Sequence, residues 1–177
     1  MSDGMRFGLF LPQGWRLDLA GIKAADQWRA PDMGWRERKT LRIAAKYAQY
    51  TNFAGILANF RHKSEVLAEH CREIGTDFGA ITRSANYNVV IGKTQAEVDD
   101  RFARLDLHSR LIPHGRPEDD LKAYRRSPTV GTPEQVIEAL RALNDAGMTY
   151  AICYFPQAVT DPSGVELFQR EVMPALT

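Results

Sequence analysis

The sequence alternates short apolar runs with longer segments of helical periodicity, and this alternation constrains the fold more than any other feature. The apolar runs predict four strands, at residues 6–12, 50–55, 82–91 and 149–155. Strands that alternate with helices are joined by right-handed crossovers and lie parallel. The runs are too apolar for a sheet with one wet face, which predicts helices on the sheet. We therefore expect an α/β protein.

Helical patterns fill most of the intervals between these strands. In residues 38–49 an apolar stripe is formed at i, i+3, i+4 and i+7 by Leu41, Ala44, Ala45 and Ala48. Further helices are predicted at residues 60–74, 94–108, 133–143 and 164–176. Gly75 has the position of a C-terminal cap. Thr94 with Glu97, and Thr132 with Gln135, have the spacing of reciprocal N-terminal caps.

Length and charge limit the classes of function. The 177 residues suffice for one domain, with 44% hydrophobic and 25% charged residues as in globular proteins. A net charge of +1 gives no electrostatic case for nucleic acid or an anionic membrane as partner. No apolar run approaches the ~20 residues of a membrane span, and no signal-peptide pattern is present, so we expect a cytoplasmic protein. Cys71 and Cys153 fit buried free thiols.

Residues 13–37 have no period of either kind and contain all three tryptophans. We expect an irregular connection within a single domain spanning residues 1–177. A loop of this length inside a compact domain is unusual and is either functional or the trace of a deletion. The four histidines lack ligand spacing, so no metal site is predicted.

Several stretches together resemble one known family. They are residues 5–15 (MRFGLFLPQGW), 37–53 (ERKTLRIAAKYAQYTNF), 63–75, 81–92, 131–156 (GTPEQVIEALRALNDAGMTYAICYFP) and 167–176. In order and spacing they resemble the luciferase-like monooxygenase family, especially its branch of coenzyme F420-dependent oxidoreductases. The resemblance covers about four fifths of the chain.

The resemblance implies a partial TIM-type (β/α) barrel. A full barrel takes ~250 residues, whereas this chain has about twenty residues where the family has strands two to five. The retained strands would be one, six, seven and eight. Because strand eight of a closed barrel pairs with strand one, we expect four parallel neighbours in the order six, seven, eight, one, with two open edges.

The resemblance also implies where a cofactor would bind. Working residues of such barrels sit at the carboxyl ends of the strands, and here Gln13 follows the first predicted strand and Asn52 lies near the end of the second. The family places the cofactor phosphate at a glycine-rich helix start. The candidate phosphate contacts in that segment are Gly34, Arg36, Arg38, Lys39 and Thr40. Two alternatives are open: Gln13 could satisfy loop backbone, and the segment could be a solvated basic helix start. No catalytic residue is carried over, because the family's come mostly from the missing strands.

Two functions follow from these expectations. The first is an oxidoreductase that transfers hydride with coenzyme F420, or alternatively FMN, on a small-molecule substrate. It would need the barrel completed, which a second copy about a two-fold axis could do. The second is a non-catalytic remnant or oligomerisation module, which could pair with a full-length relative. A third possibility is a chain with no stable fold alone.

Overall fold

The computed structural model describes residues 4–10, 34–110, 125–158 and 160–177 of the chain. The strands in these ranges are β1 Arg6–Phe10, β2 Tyr50–Phe53, β3 Thr82–Asn88, β4 Val90–Ile91, β5 Val130–Gly131 and β6 Tyr150–Tyr154. The α-helices are α1 Gly34–Tyr47, α2 Leu57–Ile74, α3 Gln95–Arg110, α4 Pro133–Asp145 and α5 Ser163–Leu167. A 3-10 turn, Phe78–Ala80, precedes β3.

The main sheet has four parallel strands in the order β1-β6-β3-β2. Arg6 of β1 lies opposite Tyr150 of β6, and Tyr150 lies opposite Ser84 of β3. Ser84 in turn lies opposite Asn52 of β2. The predicted strand order is therefore confirmed, including the parallel pairing of the first and last strands.

One face of this sheet carries the hydrophobic core. Phe53 of β2 packs edge-on against Phe60 of α2 with ring centroids 5.3 Å apart, and Phe7 of β1 packs in the same way on Phe168, at 5.5 Å. Helical residues buried in this core include Leu67, Cys71, Val136, Leu140, Leu143 and Val172. Burial of this apolar area, at roughly 25 cal/mol per Å², is the main term that holds the helices on the sheet.

The opposite face, which we call the open face, carries mostly polar side chains that are exposed or half-exposed, apart from the buried Ser84. It comprises Arg6, Gly8, Tyr50, Asn52, Thr82, Ser84, Asn86, Asn88, Tyr150, Ile152 and Tyr154. The expectation that the strands have no wet face is therefore wrong in the described part of the sheet. Along β3, polar side chains at every second position point away from the helices, because successive side chains of a strand alternate between its two faces.

The third predicted strand is two strands. β3 pairs with β6 as far as Asn88, and at Val89 the chain changes partner: the Val89 amide donates to the Tyr154 carbonyl at 2.8 Å, and the Val90 amide donates to the Thr129 carbonyl at 3.1 Å. β4 then pairs in parallel with β5, whose residues belong to no strand or helix predicted from the sequence. Two-residue strands are too short to leave a periodic signal in the sequence.

Helix ends agree with the capping signals but not always with the predicted bounds. Gly75 ends α2 with a positive φ of 80°, and the Thr132 amide donates to the Gln135 side chain at 2.9 Å. α1 begins at Gly34, four residues before the predicted start, so the end of the predicted irregular connection is helical. The last helix is not continuous α-helix, because α5 passes into a π segment, Phe168–Val172, and a 3-10 turn, Met173–Ala175. Pro174 lies in that turn and has no amide hydrogen to donate.

Both cysteines are buried and free. Burial raises the pKa of the Cys153 thiol to about 12, so it is protonated and unreactive at neutral pH. Among the helices that the structure describes, none combines the length and apolar character of a membrane span.

Candidate functional site

The carboxyl ends of the parallel strands form one edge of the sheet, where barrel enzymes place their working residues. β6 and β3 end together, with Tyr154 opposite Asn88, and β2 ends at Phe53. Polar side chains of the open face meet at this carboxyl edge. This carboxyl edge is therefore where a binding site is expected.

An amide pair lies on the open face near the carboxyl edge. The Asn52 side-chain Nδ2 of β2 donates to the Asn86 Oδ1 of β3 at 2.9 Å, and both side chains are exposed. A carboxamide has two N–H donors and an oxygen with two lone pairs, so this mutual bond uses only part of the hydrogen-bonding capacity of each. The pair can therefore offer donors and acceptors to a ligand while its members hold each other in place.

The start of α1 lies toward the same edge. Two residues separate the end of α1 at Tyr47 from the start of β2. The Thr76 hydroxyl, beyond the end of α2, donates to the Ala45 carbonyl at 2.8 Å. The C-terminal ends of α1 and α2 therefore lie together at the amino edge of the sheet. Since 14 helical residues span about 21 Å, Gly34 lies toward the carboxyl edge. Free amides of a helix start there favour an anion.

The sequence-predicted site residues fall into three groups. Asn52 is on the open face and has a partner that the sequence did not identify, Asn86. Lys39 and Thr40 are exposed near the start of α1. Gly34 is the first residue of α1, Arg36 and Arg38 are in α1 with side chains outside the described set, and Gln13 lies outside the described residues.

Asn86 and Asn88 were missed as site residues. The signal that would have found them is the run of polar residues at every second position of β3, Ser84, Asn86 and Asn88, which places all three on one face. An apolar strand with one polar face is typical of a sheet side that faces water or a ligand.

The amino end of the open face is organised around Arg6. Its guanidinium donates to the Thr82 hydroxyl at 3.0 Å and lies 5.7 Å from the Tyr150 ring centroid. The Tyr150 ring covers Gly8, where an added Cβ would lie 2.4 Å from the Tyr150 hydroxyl. Glycine is thus required at position 8 for the tyrosine to lie flat on the sheet.

Other polar groups near the carboxyl edge have structural partners. The Gln157 side chain donates to the Arg101 carbonyl at 2.7 Å, which joins the end of β6 to α3. The Tyr87 hydroxyl is buried between the Gly55 carbonyl and the Met148 sulfur, and burial raises its pKa above the usual range. Tyr87 is therefore a packing residue and not a proton donor at neutral pH.

The adjacent carboxylates Asp99 and Asp100 of α3 are held in different contacts. Arg125 forms an ion pair with Asp99 and lies 5.2 Å from the Phe102 ring centroid. Asp100 instead pairs with Arg104 one helical turn away. The two adjacent carboxylates thus do not act together. No group of three potential metal ligands occurs in the part of the chain that the structure covers.

No family model and no curated protein matches this sequence, but solved structures resemble it in fold. An F420-dependent tetrahydromethanopterin reductase from Methanopyrus kandleri superposes with a TM-score of 0.59 and 17% identity, over 79% of this chain and 49% of the reductase. An F420-dependent secondary alcohol dehydrogenase bound to an F420-acetone adduct gives 0.58 and 15%, over 79% and 46%.

A flavin enzyme gives a similar result. The oxygenating constituent of 3,6-diketocamphane monooxygenase from Pseudomonas putida, in complex with FMN, superposes with a TM-score of 0.51 and 19% identity, over 77% of this chain and 45% of that protein. The chain spans about half the length of the proteins it matches. It has the fold of half a (β/α) barrel. This agrees with the shortened barrel that the resemblance implied.

Proposed function

We propose that the chain is a shortened luciferase-like oxidoreductase that binds coenzyme F420, or alternatively FMN, at the carboxyl edge of its open face. The observation that carries the proposal is the exposed Asn52–Asn86 amide pair at that edge. Support comes from the fold, which is shared with an F420-dependent reductase, an F420-dependent dehydrogenase and an FMN-containing monooxygenase constituent.

The chemistry of the amide pair fits the ring of either cofactor. Flavins and deazaflavins present a pyrimidine edge of alternating N–H and C=O groups, which needs donors and acceptors side by side. Asn52 and Asn86 supply both kinds. Asn88, two residues further along the same face of β3, supplies a third amide.

The start of α1 is the proposed contact for the phosphate of the cofactor. Its first amides have no partner within the helix, and the helix dipole favours negative charge there. Lys39 and Thr40 are exposed about one and a half turns further on and add a cation and a hydroxyl. Gly34, Arg36 and Arg38 belong to the same segment, and Gln13 follows β1 in the sequence.

When bound, the cofactor would supply the hydride chemistry, and the protein would bind and orient it. We assign no side chain as an acid or base. The proposed location is the cytoplasm, and the two free, buried thiols agree with a reducing compartment.

The proposal is tested by titrating the protein with F420, FMN and riboflavin while ring fluorescence is followed. We expect Asn86→Leu to weaken F420 or FMN binding roughly 5-fold to 10-fold, as loss of about one hydrogen bond implies. Asn59→Leu, at an exposed position of α2, is the matched control and should bind as the wild type does. Riboflavin should bind more weakly than FMN, because it has no phosphate for the start of α1.

Absence of binding to both F420 and FMN by folded protein would refute this function. It would instead favour the second candidate, a non-catalytic module of the same ancestry. The observation that favours this candidate is coverage, since the chain superposes on only 49% of the reductase. Cooperative thermal unfolding of the ligand-free protein would establish that such a module folds alone.

A further inference from the structure

The large apolar side chains exposed in the described residues are concentrated in one part of the chain. They are Ile43, Tyr47, Tyr50 and Ile56, with exposed fractions of 62%, 72%, 61% and 68%. All four lie on α1, on β2 or just after β2. β2 is the edge strand of the sheet, and α1 is the helix that leads into it. Clustered exposed apolar side chains mark an interaction surface.

The two edges of the sheet are complementary. β1 and β2 are the outermost strands of the described sheet, both run in the same direction, and they have five and four residues. Each presents a row of backbone N–H and C=O groups, which favours pairing with another strand. A parallel strand added beside β2 would continue the sheet with the same hand and direction.

We propose that the β2 edge is an interface for a second copy of this chain, whose β1 pairs in parallel with β2. A two-fold axis that coincides with the barrel axis then makes the second junction, between β1 of the first copy and β2 of the second, identical to the first. Four strands from each copy thus close an eight-stranded barrel. The contact joins different surfaces of the two copies, and it stops at two copies only because the ring closes.

The register of the sheet supports closure. Phe10, Tyr154 and Asn88 stand in one row, but β2 ends at Phe53, opposite Ala85, which is 88 − 85 = 3 residues earlier. The carboxyl ends of β1, β6 and β3 are level, and the whole step lies between β3 and β2, the shortest of the four strands. Summed over the three junctions, the step equals the one residue per strand of a closed eight-stranded barrel with a shear of 8.

The same stagger fixes the register at the junction. Half of the barrel's shear is about four residues, which places Phe10 of the second copy opposite Asn52 and Gly8 of the second copy opposite Tyr50. An even shift keeps each strand's open-face residues on the same side, which an odd shift would not. Tyr50, now 61% exposed, would then pack beside Gly8 of the second copy and the Tyr150 ring that covers it.

Cross-linking tests this register directly. The Phe10→Cys/Asn52→Cys variant should form an intermolecular disulfide, since paired Cα atoms of neighbouring strands lie within the 4.4–6.8 Å range that disulfides span. Within one chain, β1 and β2 are three strand spacings apart, about 14 Å, which excludes an internal bond. The Arg6→Cys/Asn52→Cys variant is the matched control, because Arg6 of the second copy would lie opposite Asn52 only if the junction had no stagger. It should remain uncross-linked.

Molecular mass in solution provides the second test. The ligand-free protein should sediment at 2 × 20.0 = 40.0 kDa. Tyr50→Lys should raise the dimer dissociation constant roughly 100-fold, because it alters both junctions and each should lose about tenfold. Gln95→Lys adds the same charge at an exposed position on α3 and should leave the mass unchanged.

A wild-type mass of 20.0 kDa would overturn the proposal, and so would cross-linking of the Arg6 variant in place of the Phe10 variant. A ladder of larger oligomers would also overturn it, because it would show strand addition without closure. None of these measurements includes a cofactor, so the interface and the proposed cofactor site can fail separately.

Discussion

Arg83 of β3 is a buried charge that joins several segments of the main chain. It is 8% exposed, and its guanidinium donates to the main-chain carbonyls of Gly147, Phe78 and Ile81 at 2.7, 2.9 and 3.0 Å. It also lies 4.1 Å from the centroid of the Phe78 ring. These contacts join the start of β3 to the turn before β6.

Replacing this side chain with methionine keeps most of the apolar stem but removes every donor. Three hydrogen bonds, one buried and two partly buried, contribute about 3 kcal/mol together. Burial lowers the pKa of Arg83 because it desolvates the charged form. Relief from burying a charge should return about 1 kcal/mol. We expect Arg83→Met to lower the free energy of unfolding by about 2 kcal/mol.

For a chain of this length, 2 kcal/mol corresponds to a fall in Tm of roughly 4–8 °C. Thermal and urea unfolding followed by circular dichroism would measure both quantities. Arg42→Met, at an exposed position on α1, is the control and should change the free energy by no more than about 0.5 kcal/mol. Equal effects of the two substitutions would refute the role assigned to the three carbonyl contacts.

Two further predictions concern local structure. Asp161 accepts from the Ser163 amide at 3.1 Å and the Ser163 hydroxyl at 2.5 Å, and these bonds hold the pKa of its carboxyl below the usual value. The stabilisation that the ionised Asp161 carboxyl provides is complete above its unfolded pKa of about 4 and is lost as the pH falls through its pKa in the folded protein. Asp161→Ala should therefore lower Tm at pH 7 but not at pH 2. An equal loss of Tm at both pH values would contradict this. Gly75→Ala should cost about 1 kcal/mol in urea unfolding, because φ is +80° although the added Cβ meets no atom within 4 Å; an unchanged midpoint would show that the turn can adjust.

Much of the fold could be predicted from the sequence because its signals are local. Apolar runs, the alanine-rich stripe of α1 and the caps at Gly75 and Thr132 each report on a few neighbouring residues. The strand order came from the family resemblance, and the pairing of Arg6 with Tyr150 confirms it. The change of partner at Val89 could not be predicted, since it depends on Thr129, which is distant in the sequence.

The candidate site was less predictable than the fold. Asn52 was identified by its position at the end of a strand, but its partner Asn86 comes from a different strand that is only brought alongside by folding. Polar residues occur at every second position of β3 in the sequence, but the apolar residues Val89 and Val90 that follow them made the whole segment look like one buried strand. Gln13 stays a prediction, as do the side-chain roles of Arg36 and Arg38.

The switch of partner after β3 ties the carboxyl edge to a remote part of the chain. Thr129, which is fully buried, donates its hydroxyl to the Asn88 carbonyl at 2.9 Å, and β5 follows directly. The residue that bonds the Asn88 carbonyl at the end of β3 therefore lies in the connection between α3 and α4. Changes of length or sequence in that connection would therefore act on the carboxyl edge of the sheet.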